Sequence, residues 1–342
     1  MRILFWSLLI LLLLLGCNTS PNIPMLSESD TAVLPTPIEP SGTMYFVELR
    51  PGIQNLARYD VPTGRESLLF RVPDNGWLAG FDMSPDGAQF ILAYAPPPEE
   101  GQIQFGFTNL YLMKNEAGSE PRLLIEPIDP QEVFFNPTWS PDGEYIYYSH
   151  VIPEDEEAYT FRTQLERFHL SSGEIESLAE NAIWPQLSTN GSKLAYVTVT
   201  PDSLAQALLV ADADGRNPTI LVPQETFQAV DAPMFSLDGE WLYFSASENS
   251  AAVRPWWDWA LGVQTAVAHN LPSDWYRTPL AGGEWDRLTD MGGTGFYGRF
   301  ASHNAPYFAF SSQEGLFMMS PDGRDLEKRL NVALTDSLVW QP

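Results

Sequence analysis

With 342 residues and 44% hydrophobic side chains, the chain is long enough to bury a large core, in one large or two ordinary domains. A formal net charge of −26 excludes a nucleic-acid-binding protein, because phosphate recognition needs a basic surface, and it also opposes attraction to an anionic membrane. The 29 prolines, 24 glycines and 13% aromatic residues indicate many turns between short strands and favour an all-β fold.

Residues 1–16 have the pattern of a secretory signal peptide. Arg2 precedes a predominantly apolar run from Ile3 to Leu15, which is too short to span a hydrocarbon core of about 30 Å comfortably. The end of this run, Leu14-Leu15-Gly16-Cys17, resembles the lipobox of bacterial lipoproteins. The resemblance implies cleavage before Cys17 and lipidation of that residue, whereas the alternative is an ordinary signal peptide with a chance cysteine.

Cys17 is the only cysteine, which excludes an internal disulfide or a thiolate metal cluster. The two or three acyl chains of a bacterial lipoprotein would anchor it stably to a membrane. After Cys17, the chain up to residue 40 is rich in Ser, Thr and Pro and has no apolar period, so we expect residues 17–40 to form a flexible stalk. These features predict a lipid-anchored protein of the cell envelope, on the extracytoplasmic side of a bacterial membrane.

A short turn motif recurs from residue 41 onward. Its proline presets φ for the first turn position, aspartate suits the second, and glycine takes the left-handed position that follows. The copies are Ser84-Pro85-Asp86-Gly87, Ser140-Pro141-Asp142-Gly143, Ser188-Thr189-Asn190-Gly191, Ser236-Leu237-Asp238-Gly239 and the degenerate Ser302-His303-Asn304-Ala305. Strand-like runs follow them at Gln89–Tyr94, Tyr145–Ser149, Lys193–Thr198, Trp241–Ser245 and Tyr307–Ser311. We therefore interpret each copy as a structural hairpin turn.

A second turn lies between the copies and joins two further strands. Its six examples are centred on Gly64, Gly118, Gly173, Gly215, Gly282 and Gly323. Ser320-Pro321-Asp322-Gly323 has the letters of the first motif, but its position after Gly315–Met319 assigns it to the second. Each unit thus has four strands, A to D, in about 50 residues, the size of a β-propeller blade.

Six second turns predict six blades. Only five copies of the first turn occur. The two ends of the chain account for the sixth, since Asp336–Pro342 has the pattern of strand A and Ser41–Leu49 that of strand B. We predict an all-β, six-bladed β-propeller of four-stranded antiparallel blades. The C-terminal strand closes the ring by pairing with N-terminal strands, which leaves no open sheet edge.

The repeat resembles that of TolB-type six-bladed propellers, which also occur as propeller domains of prolyl oligopeptidases and dipeptidyl peptidases. The resemblance covers residues 41–342 and does not extend to the additional N-terminal domain of TolB. It implies the fold and leaves the function open, because the same propeller serves scaffolds, binding modules and enzymes.

Antiparallel geometry places the A–B and C–D turns on one face and the B–C and D–A connections on the other. The B–C connections are the longer ones, and that of blade 5 extends from Glu248 to Asp274. Loops on a rigid scaffold usually carry the function, so we predict the partner site on this face. The candidate residues are Trp256, Trp257, Trp259, Trp275, Glu154 and His150. A core role for the tryptophans and a solvated role for the acidic loops remain open alternatives.

The sequence lacks a recognisable catalytic set. It contains no Gly-x-Ser-x-Gly nucleophile elbow, no metal-ligand spacing among its 4 histidines and no phosphate-binding loop, so we expect no cofactor or metal. A non-catalytic binding or scaffold protein for a protein, peptide or glycan is therefore the favoured hypothesis. The alternative is an envelope enzyme that acts on carbohydrate or peptide, with carboxylates near the channel mouth as general acid and base.

Overall fold

A computed structural model describes residues 40–51, 53–99, 107–155, 160–201, 203–248, 271–300 and 307–341. Every regular element in these ranges is a β-strand. None of the described residues belongs to a helix long and apolar enough to cross a membrane. The predicted signal peptide, Cys17 and nearly all of the predicted stalk lie outside these ranges.

The strands form six antiparallel sheets of four strands, which confirms the predicted six-bladed architecture. Strands A to D of blade 1 are β24 (Leu334–Gln341), β1 (Thr43–Arg50), β2 (Ile53–Asp60) and β3 (Arg65–Arg71). Blade 2 has β4 (Trp77–Met83), β5 (Gln89–Ala95), β6 (Asn109–Lys114) and β7 (Arg122–Leu123), and blade 3 has β8 (Val133–Trp139), β9 (Tyr145–Asp155), β10 (Thr160–His169) and β11 (Ile175–Glu180). Blade 4 has β12 (Ala182–Leu187), β13 (Lys193–Val199), β14 (Gln206–Asp212) and β15 (Thr219–Val222). Blade 5 has β16 (Ala229–Phe235), β17 (Trp241–Ser247), β18 (Asp274–Pro279) and β19 (Asp286–Arg287), and blade 6 has β20 (Tyr297–Phe300), β21 (Phe308–Ser312), β22 (Gly315–Met319) and β23 (Glu327–Leu330).

Burial decreases from the inner to the outer strands of a blade. The B strands β5 and β17 bury every residue except the first, because a neighbouring blade covers each of their faces. The D strands β7 and β19 are exposed and contain only two residues each. The sequence has longer strand-like runs there, Arg122–Ile125 and Trp285–Thr289, but only two residues of each are in a strand, because an outermost strand has a pairing partner on one side only.

The A–B turns have the predicted geometry. In blade 2 the Ser84 hydroxyl donates to Asp86 Oδ1 (2.6 Å) and accepts from Gln89 N (3.0 Å), while Gly87 has a φ of +71°. The same arrangement recurs at Ser140, Asp142 and Gly143 of blade 3 and at Ser236, Asp238 and Gly239 of blade 5. These residues therefore have the structural role that the sequence predicted. The degenerate copy in blade 6 lies outside the described residues.

The ends of the chain close the ring as predicted. β24 pairs antiparallel with β1 from Thr43↔Gln341 to Glu48↔Leu334. The buried Trp340 packs in a cluster that includes Met44 and Phe46, and its indole Nε1 donates to Ser41 O at 2.9 Å. Blade 1 is thus assembled from residues at opposite ends of the sequence.

The propeller has two faces, which carry different connections. The turn face carries the A–B and C–D turns, and the loop face carries the B–C and D–A connections. The A strands begin at the loop face and end at the turn face, lining the central channel. Ser320–Gly323 joins β22 to β23 and is a C–D turn, as the sequence predicted.

Candidate functional site

The central channel has a polar layer close to the turn face. Four A strands place a polar side chain at their next-to-last residue, where it lines the channel cavity. These residues are Asp82, Thr138, Gln186 and Arg299. They come from blades 2, 3, 4 and 6, so the layer is assembled from sequence positions that are far apart.

Two contacts cross the channel. Arg299 Nη2 of blade 6 lies 3.6 Å from Asp82 Oδ1 of blade 2, and the ring centroids of Tyr297 of blade 6 and Trp184 of blade 4 are 5.1 Å apart. The cavity that remains has a volume of about 60 Å³. Pockets for small-molecule ligands usually measure about 300–1,000 Å³, whereas a water molecule takes up about 30 Å³. The cavity in this layer therefore has room for water molecules and not for a sugar or peptide unit.

Asp82 is the carboxylate of this layer, and it is buried. Its Oδ2 accepts a hydrogen bond from Trp139 N at 2.8 Å, while its Oδ1 has only the longer contact with Arg299. Burial raises the pKa of Asp82, and the charge of Arg299 and the backbone N–H groups of Trp139 and Met83 oppose this rise. A single carboxylate paired with a guanidinium does not supply the separate general acid and base of the enzyme hypothesis.

An Asp82→Asn variant tests this assignment through pH. The folded-state pKa of Asp82 lies above the ordinary value of 3.8, so its contribution to stability is fully present below pH 3.8 and is lost as pH rises through the folded-state pKa. The free energy of unfolding of the wild type minus that of the variant is therefore expected to fall between about pH 4 and about pH 7.5. Urea unfolding at the two pH values measures it.

Asp238→Asn is the matched control, with a pH dependence of stability opposite in sign to that of Asp82→Asn. The Ser236 hydroxyl and the Glu240 N–H lower the pKa of Asp238, so its contribution to stability is present above the ordinary value of 3.8 and is lost as pH falls below it. The turn accommodates the substitution, because Asn190 occupies the same place in blade 4. The assignment would be contradicted if the free energy of unfolding of the wild type minus that of the variant changed with pH in the same direction for both variants.

His150 lies inside the protein, between blades 2 and 3. Its Nδ1 is 3.0 Å from Glu166 Oε2, its Nε2 is 3.6 Å from Glu132 Oε2, and its ring stacks on Phe134 at 4.1 Å. All four side chains are buried. The prediction that His150 contacts a ligand on the loop face is therefore corrected: strand alternation turns it, together with Tyr148, into the blade interface. Burial raises the pKa of Tyr148, and the nearby Glu166 adds to this rise.

Sequence reasoning missed Glu132 and Glu166. A possible signal was a charged residue at an inward position of a strand, since Glu166 precedes the core residue Phe168 by two positions on β10. The cluster has the residue types of an acid–base site, but its enclosure excludes substrate. Within the described residues no group of three or more His, Cys, Asp or Glu side chains is arranged to hold a metal ion.

The other predicted partner residues divide into three groups. Trp275 is fully buried and packs on Phe296, Phe308 and Phe310, so its assignment to the partner face is corrected to a core residue. Glu154 is exposed near the loop-face end of β9 and lies 3.8 Å from Arg162 across the hairpin. Trp256, Trp257 and Trp259 lie outside the described residues.

Solved structures share this architecture, although neither a family model nor a curated protein matches the sequence. A TolB from Agrobacterium tumefaciens gives a TM-score of 0.59 at 16% identity, over 89% of this chain and 99% of that chain. TolB from Acinetobacter baumannii gives 0.62 at 13% identity, over 89% of this chain and 67% of that chain. The fold is a TolB-type six-bladed propeller.

An oligogalacturonate lyase in complex with manganese also resembles this TolB-type propeller. Its TM-score is 0.51 at 14% identity, over 84% of this chain and 73% of that chain. Identities this low establish a shared fold and leave the function to be argued from the site.

The loop face of this TolB-type propeller is acidic. Its described connections contain no lysine or arginine. Their acidic residues are Asp74, Glu99, Glu126, Asp129, Glu132, Glu225, Glu248, Asp290 and Glu314. Both faces pair some of their acidic residues locally. At the loop face Arg287, the last residue of β19, lies 2.7 Å from Asp290 and 3.5 Å from Glu248, and at the turn face Arg216 pairs with Asp214 and Arg324 with Asp322. The loop face thus presents a surface complementary to a basic partner.

Proposed function

We propose that this TolB-type propeller is a non-catalytic binding or scaffold module that recognises its partner through the loop face. The observation that carries the proposal is the contrast between the loop face and the channel. The loop face combines acidic connections that contain no lysine or arginine in the described residues with exposed apolar side chains at Trp77 and Ile128. The channel is crossed by side chains and retains about 60 Å³. A ligand larger than a few water molecules therefore does not fit the cavity beside Asp82 and Arg299.

The proposed location is the extracytoplasmic side of a bacterial membrane, with the lipid anchor on Cys17. The pattern of residues 1–17 supports it, and so does the likeness to TolB structures. Metabolic labelling with a fatty acid is expected to mark the wild type and not a Cys17→Ala variant. Equal labelling of the two proteins would remove the anchor from the proposal and leave the loop-face binding site unaffected.

The enzyme alternative is favoured by the likeness to oligogalacturonate lyase. The described channel opposes it, because its polar layer contains one carboxylate, Asp82, which faces Arg299. The described residues also lack a metal-holding cluster of the kind that a manganese site would need. We therefore place binding before catalysis for this chain.

Site-specific photo-crosslinking in the cells that express the protein tests the proposed binding face. Benzoylphenylalanine placed at Glu154 and Asp290 probes the loop face, and at Glu174 and Arg324 it probes the turn face. Discrete protein or glycan adducts are expected from the loop-face positions only, because partners bind where exposed loops on a rigid scaffold present acidic charge and apolar area. Adducts of equal yield from both faces, or from the turn face alone, would refute the proposal.

A further inference from the structure

The connection of residues 124–132, between blades 2 and 3, presents an unusual side chain on the loop face. Ile128 is 96% exposed, the highest value among the exposed large hydrophobic residues of the described ranges, where the next is Ile220 at 58%. Single exposed apolar residues are common on protein surfaces. Ile128 differs from such residues in the contacts that fix its backbone.

The chain holds Ile128 rigidly. Ile128 N donates to Glu132 Oε2 at 3.0 Å, and Asp129 accepts from the backbone N–H groups of Gln131 (2.8 Å) and Glu132 (3.1 Å). Pro127 and Pro130 restrict the backbone on either side. The buried Glu132 carboxylate is itself fixed beside His150, at 3.6 Å from Nε2. A backbone held in this way loses little conformational entropy when a partner covers the side chain that it carries.

The surroundings of Ile128 define the chemistry of the partner. The flanking carboxylates of Glu126 and Asp129 have no basic neighbour within the connection, and Trp77, which is 38% exposed, begins strand A of blade 2 at the same end of the propeller. These charges repel nucleic acids and anionic lipids. They complement a surface rich in lysine and arginine. An isoleucine anchor fits an apolar pocket of a protein rather than a sugar ring, which prefers an aromatic platform.

We propose that Ile128 is the anchor residue of a docking surface for a basic protein segment that carries an apolar pocket. The flanking carboxylates set the charge of the partner, and the Glu132–His150 contact pre-organises the loop. This proposal rests on the proposed function, because it names the partner class of the loop face.

The test keeps one crosslinking probe and changes the anchor. Benzoylphenylalanine replaces Trp77, and adduct yield is compared between the parent protein and the variants Ile128→Asp and Ile220→Asp. Loss of the anchor is expected to lower the yield at least about tenfold, since fully burying an isoleucine side chain contributes enough free energy to change binding by that factor. Ile220→Asp, an equally apolar exposed position on β15, is expected to leave the yield unchanged.

Charge is tested with the same probe. Glu126→Lys is expected to lower the yield severalfold, whereas Glu174→Lys on the turn face has no effect. Mass spectrometry of the adduct is expected to map the crosslink to a peptide with more Lys and Arg than Asp and Glu. Equal effects of the two isoleucine variants, or an acidic or neutral crosslinked peptide, would overturn the proposal.

The outcomes also separate this proposal from the proposed function. If Glu154 or Asp290 probes give adducts that Ile128→Asp does not change, and Trp77 gives none, the loop face binds a partner and Ile128 is not its anchor. If no loop-face probe gives an adduct, both the anchor and the binding face are refuted. Circular dichroism of each variant confirms that the propeller is folded.

Discussion

Replacing His150 by Leu is expected to destabilise the propeller by about 1–3 kcal/mol, the cost of leaving a buried polar group without its hydrogen-bond partner. The imidazole lies between the carboxylates of Glu132 and Glu166, at 3.6 and 3.0 Å, in the interface of blades 2 and 3. Its removal leaves two buried carboxylates facing each other without the ring between them. The free energy of unfolding from urea titrations at neutral pH measures the loss.

Two further variants show whether the partners left by His150→Leu cause the loss of stability. Glu154→Gln removes the exposed carboxylate beside Arg162, and its expected cost is below about 0.5 kcal/mol. Adding Glu166→Leu and Glu132→Gln to His150→Leu also replaces the two carboxyl groups that the single variant leaves without the ring, and most of the lost stability is expected to return, because replacing all members of a buried polar cluster costs less than removing one of them. A loss below about 1 kcal/mol for His150→Leu alone would show that these contacts do not stabilise the blade interface.

Trp340→Ala is expected to destabilise the protein by about 3–5 kcal/mol, the usual cost of truncating a buried aromatic residue. Trp340 is buried against Met44 and Phe46 of β1, and its Nε1 donates to Ser41 O. The contact joins the two ends of the chain, so its loss also loosens the closure of the ring. Thermal and urea unfolding are both expected to show the loss.

Trp285→Ala provides the control for aromatic truncation at the rim. Trp285 is 39% exposed beside the outer strand of blade 5, and its expected cost is below about 1.5 kcal/mol. Trp340→Phe keeps most of the apolar area and loses the indole donor, at an expected cost of about 1–3 kcal/mol including the unpaired carbonyl. Equal costs for the alanine variants at Trp340 and Trp285 would contradict a stabilising role for the closure.

The sequence alone was sufficient to predict the six blades, the A–B and C–D turns and the closure by β24. Each of these features depends on local chemistry, such as the proline, aspartate and left-handed glycine of Pro141-Asp142-Gly143, or on counting local repeats. Strand lengths were less accurate. β9 extends to Asp155 and not to Ser149, because its hairpin with β10 continues to pair beyond the blade body.

The long-range contacts were decided by the tertiary structure alone. Asp82 and Arg299 meet across the channel although 217 residues separate them, and Glu132 reaches His150 from a different connection. The sequence placed His150 and Trp275 at the loop face, since it showed that they lie near long loops. It did not show which way each side chain turns. The direction of a side chain depends on how the blades pack around the ring, which no local pattern encodes. The side chains of His150 and Trp275 lie in the interior, whereas that of Ile128 is exposed.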